Sequence, residues 1–179
     1  TSFLAPFANG QLLGRDGNLL RIETIDGAGA SVLLRFDNGT ACVIPVIQGF
    51  LAALTVDGEL ADVAYEPSDN TWRWDLYKQR ASDVRSLRAV AATASRHGRF
   101  RLDSNDSERV GQQMQYAKGI DPTLAVYAAY AYHDAQLGDR IQEMSGYLKS
   151  DVGVTFFDLE LLGRRLVGTS IDRSQMVVP

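Results

Sequence analysis

The sequence predicts an α+β chain: a small antiparallel β-sandwich or barrel over residues 1–68, followed by an all-α helical domain over residues 69–179. Short runs rich in valine, isoleucine, leucine and threonine, separated by glycine turns, give way near residue 68 to long helical patterns. The charge changes at the same place. Residues 1–68 hold eight acidic and three basic side chains, and residues 69–179 hold fourteen acidic and fifteen basic ones. We therefore expect an acidic β unit docked on a near-neutral helical unit.

Five strands are predicted in the first unit, because apolar runs recur about every ten residues, a spacing typical of sandwiches and barrels. Between them, Asp26-Gly27, Asn38-Gly39 and Asp57-Gly58 supply the positive φ that tight hairpin turns need. Consecutive hairpins of this kind make an antiparallel meander. The predicted strands cover residues 19–25, 31–37, 40–46, 50–56 and 60–66.

Alternation within these runs predicts one buried face. Val32, Leu34 and Phe36 alternate with more polar neighbours, and a similar pattern includes Tyr65. Pro45 lies inside the third run and lacks the N–H that a ladder needs. We therefore expect that strand to be an edge strand or a bulged one.

Five helices are predicted in the second unit. The first has apolar residues at three- and four-residue steps, which predicts one inward face. Its inward positions are Tyr77, Ala81, Val84, Leu87, Ala91 and Ala94. The predicted helices cover residues 72–95, 107–118, 122–135, 139–149 and 156–167.

The third and fourth helices form a predicted αα-hairpin over residues 122–149. Asp121-Pro122 starts it, with an N-cap acceptor followed by proline at the first helical position. The third helix is apolar around most of its circumference, which predicts that it is sandwiched between neighbours. In the fourth, Ile141, Met144 and Leu148 are expected inward. Thr155 with Asp158 gives a capping-box pattern for the last helix.

Composition excludes several classes of protein. The chain is 45% apolar and 22% charged, as in globular proteins, and no apolar run approaches a membrane span. Its single cysteine, Cys42, excludes an internal disulfide and a cysteine-rich zinc module. The chain starts at Thr1 without a signal-peptide pattern and ends on an apolar segment. We expect a cytoplasmic fragment of a larger protein.

A run of alanine and tyrosine marks the third helix, IDPTLAVYAAYAY over residues 120–132. The partner run GDRI follows at 138–141 and FDLELL at 157–162. Residues 118–168 resemble a segment of bacterial caspase-like proteins, with a looser similarity at residues 34–39. The resemblance implies a non-catalytic region that follows the peptidase domain. The paired histidine and cysteine motifs of such a peptidase do not occur here.

The helical hairpin is also similar to tetratricopeptide units, with small residues at its close-packing positions. No 34-residue period repeats along the chain. A solenoid array is therefore not predicted.

Catalytic and metal-binding patterns are weak. Cys42 with His97 or His133 is the alternative hypothesis, a cysteine hydrolase, but Cys42 lies in an apolar strand and both histidines lie in the other unit. His97 precedes Gly98, where it suits a helix C-terminus. No second histidine lies four residues from His133. We predict no catalytic constellation, no metal site and no cofactor.

A basic stripe is the second alternative, as a nucleic-acid-binding surface. Residues 73–101 hold eight basic side chains against Asp75 and Asp83, and Lys78, Arg85 and Arg96 fall within about 20° on a helix. The acidic chain as a whole makes nucleic acid a poor partner. The stripe is better suited to the acidic β unit or to an acidic partner.

The function predicted from these features is a non-enzymatic protein-interaction or regulatory module. Its partner is another protein or an adjacent domain of the same polypeptide, with no membrane contact. One apolar face of the third helix is expected to pack in the core, which leaves a second apolar face for a partner. The basic stripe adds positive charge to the partner-binding surface. The predicted partner-binding residues are Val126, Tyr130, His133, Lys78, Arg85 and Arg96.

Overall fold

The structure is a computed structural model that describes residues 2–3, 10–17, 19–57, 60–96, 104–163 and 176–178. It is a mixed α/β chain in which antiparallel strand pairs precede the helices. The predicted order of antiparallel strands followed by helices is confirmed, but the half predicted to be all-α also contains two short strands, Thr155–Phe156 and Met176–Val177, which pair with each other.

The described strands form one three-stranded sheet, β1-β4-β5, the antiparallel hairpins β2-β3 and β6-β7, and the parallel pair β8-β9. These ladders do not close into a clear sandwich or barrel among the described residues. The strands are β1 (Ser2–Phe3), β2 (Gly10–Asp16), β3 (Leu19–Thr24), β4 (Gly29–Arg35), β5 (Ala41–Ile47), β6 (Phe50–Asp57), β7 (Leu60–Pro67), β8 (Thr155–Phe156) and β9 (Met176–Val177).

Turn and edge predictions agree with this topology. Gly27 and Gly39 both have positive φ, as their hairpin turns require. β5 pairs only with β4 in the described part of the chain, so Pro45 lies on an edge strand as predicted. The turn predicted at Asp57-Gly58 lies partly outside the described residues.

Strand β2 is absent from the prediction. Its sequence, GQLLGRD, has two glycines and no alternation, so local preference is low. It forms because β3 pairs with it, with a shift in register between Leu12 and Gly14. Long-range pairing, rather than local preference, therefore defines this strand.

The helices are α1 (Arg73–Arg96), α2 (Ser104–Ala117), α3 (Thr123–Asp134), α4 (Gly138–Val152) and α5 (Phe157–Leu162). The predicted inward face of α1 is confirmed, with Val84 and Ala91 buried, and so is that of α4, with Met144 and Leu148 buried. Helix α3 is buried around most of its circumference, as expected for a sandwiched helix.

The capping box predicted at Thr155 is wrong. Thr155 belongs to β8, where it is paired with Met176, and Phe156 precedes the helix without a side-chain capping bond. Backbone pairing with a distant segment replaces the local cap. Helix α5 ends at Leu162, and the residues after 163 in the predicted helix lie outside the described part.

The main apolar core lies among the helices, and the β half reaches into it. Ile47 of β5 and Tyr65 of β7 belong to the same cluster as Met114, Leu124 and Leu148. The two predicted units therefore share a core, while the boundary at residue 68 stays a prediction. A smaller cluster under β4 contains Val32, Leu34 and Ile44.

Two glycines let the halves approach closely. A Cβ on Gly29 would lie 3.0 Å from Cγ1 of Val177 and closer still to Val154, and a Cβ on Gly153 would lie 2.6 Å from Cβ of Ala28. The end of α4 and the start of β4 are thus in backbone-level contact. Nearby, the Val178 N–H donates to Oγ of Ser31 at 3.0 Å.

Candidate interaction surface

The candidate surface lies where α3 and α5 meet. Tyr130 of α3 is 43% exposed, and its hydroxyl donates to Oδ2 of Asp158 on α5 at 3.4 Å. Leu161 lies one helical turn after Asp158 and is 52% exposed. We call Tyr130, Asp158 and Leu161 the tyrosine surface. It combines an aromatic ring, an aliphatic side chain and a carboxylate.

Partial burial changes the acid–base properties of this surface. Desolvation raises the pKa of the Asp158 carboxyl, and the hydrogen bond from Tyr130 opposes that rise. Desolvation and the neighbouring Asp158 both raise the pKa of the Tyr130 hydroxyl. The hydroxyl therefore stays protonated as a donor at neutral pH. A half-buried tyrosine whose hydroxyl donates to a neighbouring acceptor is common at protein interfaces.

The other predicted contacts on α3 are placed differently from one another. His133 is exposed one turn after Tyr130, and its Nδ1 lies 3.9 Å from Oδ1 of Asp134. Val126 is only 8% exposed and packs in the main core, so it offers a partner little surface. Sequence reasoning missed Leu161, because which face of α5 packs inward depends on its contacts with α3 and α4, which leave no local signal.

Several of the described basic side chains between residues 73 and 96 contact other groups of the chain. Lys78 pairs with Asp75 at 2.8 Å, and Arg73 donates to the carbonyl of Gly119 at 2.9 Å. Arg80 donates to the carbonyl of Tyr116 at 3.4 Å. Arg85 is exposed. The side chain of Arg96, with Arg99 and Arg101, lies outside the described part.

A buried ionic network fixes α3 behind the tyrosine surface. The Asp121 carboxylate is fully buried and accepts hydrogen bonds from the N–H of Thr123 at 3.0 Å and from its hydroxyl at 2.6 Å. Helix α3 begins at Thr123 with Pro122 as its N-cap residue, so the N-cap predicted at Asp121 lies one residue too early, although the Asp121 side chain does accept the Thr123 N–H. The second oxygen accepts from Nε of Arg88 at 2.6 Å.

The same network holds the outer edge of β7. The Tyr65 N–H donates to Asp121 at 3.4 Å, and Arg88 donates to the Tyr65 carbonyl. Arg88 also lies 3.7 Å from Glu66, which accepts from the Tyr77 hydroxyl at 2.6 Å. Helix α1 and the start of α3 are therefore tied to two adjacent residues of β7, Tyr65 and Glu66. Arg88, one of the eight basic residues between 73 and 101, contacts Tyr65 and Glu66 of the acidic β half, in agreement with the expected docking of the stripe on that half.

Polar groups that are buried in the described part are all partnered. No buried side-chain nitrogen or oxygen there lacks a hydrogen bond. The described ranges contain no group of three or more His, Cys, Asp or Glu arranged to hold a metal ion. His97, one candidate of the hydrolase hypothesis, lies outside them. None of the described helices is long and apolar enough to cross a membrane.

Cys42 lies on β5, partly buried against the smaller core. Desolvation raises the pKa of its thiol, so less thiolate is present at neutral pH. We expect Cys42 in the folded chain to react with a maleimide more slowly than free cysteine, and to accelerate after unfolding in urea. A folded-state rate above that of free cysteine would contradict this and favour the hydrolase.

Comparison with protein-family models, curated proteins and solved structures gives no match to this chain. The proposals below therefore rest on the residues and their contacts.

Proposed function

We propose that the chain is a non-catalytic protein-interaction module, an accessory region of a larger cytoplasmic protein of bacterial caspase-like type. The observation that carries the proposal is the tyrosine surface. Tyrosine is enriched in protein-binding hot spots, and Tyr130 is held in place by its hydrogen bond to Asp158, while the exposed Leu161 adds apolar area on the adjacent helix.

The rest of the chain supports a binding role over a chemical one. The raised thiol pKa of Cys42 is opposite to the activation that a nucleophile needs. The most deeply buried carboxylate, Asp121, has its oxygens occupied by Arg88, Tyr65 and Thr123. The surroundings of the Cys42 thiol and of the Asp121 carboxylate therefore suit structural roles.

Two finer features belong to the proposal. The β half is a small sandwich or barrel, supported by side chains from β3, β4, β5 and β6 that meet around Val32, Leu34 and Ile44. The α3–α4 pair is a tetratricopeptide-like hairpin. His133, Lys78, Arg85 and Arg96 stay predicted contacts around the tyrosine surface.

Tyr130→Glu tests the proposal. We expect it to weaken binding to the peptidase-like domain encoded in the same reading frame about 30-fold, because a central tyrosine contributes about 2 kcal/mol. Isothermal titration calorimetry measures the affinity, and far-ultraviolet circular dichroism checks the fold.

Tyr116→Glu is the matched control, since Tyr116 is 72% exposed on α2. Its affinity should equal that of the unmodified chain. An equal loss in both variants would contradict the assignment of the surface. A reading frame without a peptidase-like domain would contradict the caspase-like part of the proposal.

A further inference from the structure

The outer edge of β6 is a second feature, independent of the tyrosine surface. In the part of the chain that the structure describes, β6 forms a ladder with β7 alone. The other side of β7 is occupied at Tyr65 by Asp121 and Arg88. One edge of the β6-β7 hairpin is therefore occupied by side chains at Tyr65. The other edge is formed by β6, which has no second paired strand in the described part of the chain.

The register fixes which groups of β6 face outward. In an antiparallel pair, the N–H and C=O of one residue point to the same side, and the side alternates along the strand. Tyr65 directs both groups away from β6 and is paired with Ala52. The outward groups of β6 therefore belong to Ala52, Leu54 and Val56.

A bond beyond the strands gives the same alternation. The Ser68 N–H donates to the Gly49 carbonyl at 2.8 Å. This hydrogen bond extends the β6-β7 ladder by one residue, and it shows that odd-numbered residues on the β6 side direct their backbone groups towards β7. Ala53 and Thr55 share that parity and face β7. The amides of β6 thus divide into an inward set and an outward set.

The side chains of β6 suit strand addition. Leu51 is 59% exposed, and Ala52, Ala53, Thr55 and Val56 are also exposed. Residues 50–56 contain no charged side chain, no proline and no glycine. Exposed edges of this composition are templates for an incoming strand.

Charge selects the incoming strand. Residues 50–67 contain four acidic side chains, and no Lys or Arg occurs between Arg35 and Arg73. A second copy joined through β6 would place two hairpins, each with four acidic side chains and no basic one, in the same sheet, and this like net charge opposes self-association. A segment with lysine or arginine would gain attraction instead.

We infer that β6 is the docking edge for an extended, basic segment of a partner protein, which adds to the hairpin as a third strand. Main-chain bonds to Ala52, Leu54 and Val56 supply affinity. Alternate apolar side chains of the incoming segment lie beside Leu51 and the other exposed side chains on the same face of β6, and its basic side chains are attracted by the acidic hairpin. Specificity follows from the basic residues.

Amide hydrogen exchange measured by nuclear magnetic resonance tests the inference residue by residue. The probe is the synthetic peptide KVTVKVTVK, with EVTVEVTVE as the charge control. With saturating KVTVKVTVK, the amides of Ala52, Leu54 and Val56 should exchange at least about tenfold more slowly. The amides of Ala53 and Thr55 face β7 and serve as internal controls with unchanged exchange.

Two further comparisons isolate the backbone contribution. KVTVKVTVK carrying N-methyl groups on alternate residues should give no protection when the methyl groups fall on its bonding edge. Ala52→Pro should abolish protection by removing an outward donor, while Ala52→Thr should retain it. The peptide comparison uses the unmodified chain, so it does not depend on whether a variant folds.

Equal protection by both peptides would overturn the charge selection. Protection that appears without peptide and grows with protein concentration would show a second copy as the occupant and would also overturn the inference. Unchanged exchange of the outward amides at saturating KVTVKVTVK would remove β6 as a docking edge.

Discussion

Replacement of Arg88 by methionine is expected to lower the free energy of unfolding by about 3 kcal/mol or more, because it leaves the buried Asp121 carboxylate without its cation. The Tyr65 carbonyl would lose its donor in the same variant. Urea unfolding followed by circular dichroism measures the change.

Arg85→Met is the matched control. Arg85 lies on the same helix but is exposed, so its replacement should change stability by less than about 0.5 kcal/mol. Similar losses in the two variants would show that the buried pair adds nothing beyond general charge, and would contradict the role of the network.

Two alanine substitutions in α4 and at its end should change stability in opposite directions. Gly153 has φ of 82° and contacts Ala28, so Gly153→Ala combines backbone strain with a clash and should destabilise the chain by about 2 kcal/mol. Gly146 lies inside α4 with open space around it, so Gly146→Ala should stabilise by about 0.5 to 1 kcal/mol.

Thermal unfolding of both variants measures these changes. A stabilising effect of Gly153→Ala would mean that α4 and the start of β4 are not in close contact. A destabilising effect of Gly146→Ala would mean that its helix position is not open. The first result would contradict the close packing described between the helical and β halves, and the second would contradict the exposed helical position of Gly146.

The elements that local sequence predicts are those whose pattern is complete within a few residues. In helices α1 and α4 the apolar spacing predicts the inward face, and Asp121-Pro122 predicts where α3 starts. By contrast, β2 has no pattern of its own and depends on β3, while β8 depends on a strand about twenty residues away. Pairing partners of this kind leave no local signal.

The same limit applies to the candidate surface. Tyr130 was predictable because α3 has more apolar residues than one core face needs, but the burial of Val126 depends on neighbouring elements. Arg88 belonged to a recognisable basic run, yet its choice of Asp121 joins residues 33 positions apart. Sequence indicates which side chains carry charge, and the fold decides which of them remain available to a partner.

The bond between Ser31 and Val178 has a consequence for synthesis. Its two residues are separated by 147 positions in the chain. At about 5 to 20 residues per second, a ribosome needs roughly 7 to 30 s to make that interval. During that time β4 has left the ribosome without β9 beside it. Contacts of such high order form late, so in the nascent chain β4 can pair with β5 well before its contact with the end of β9 forms.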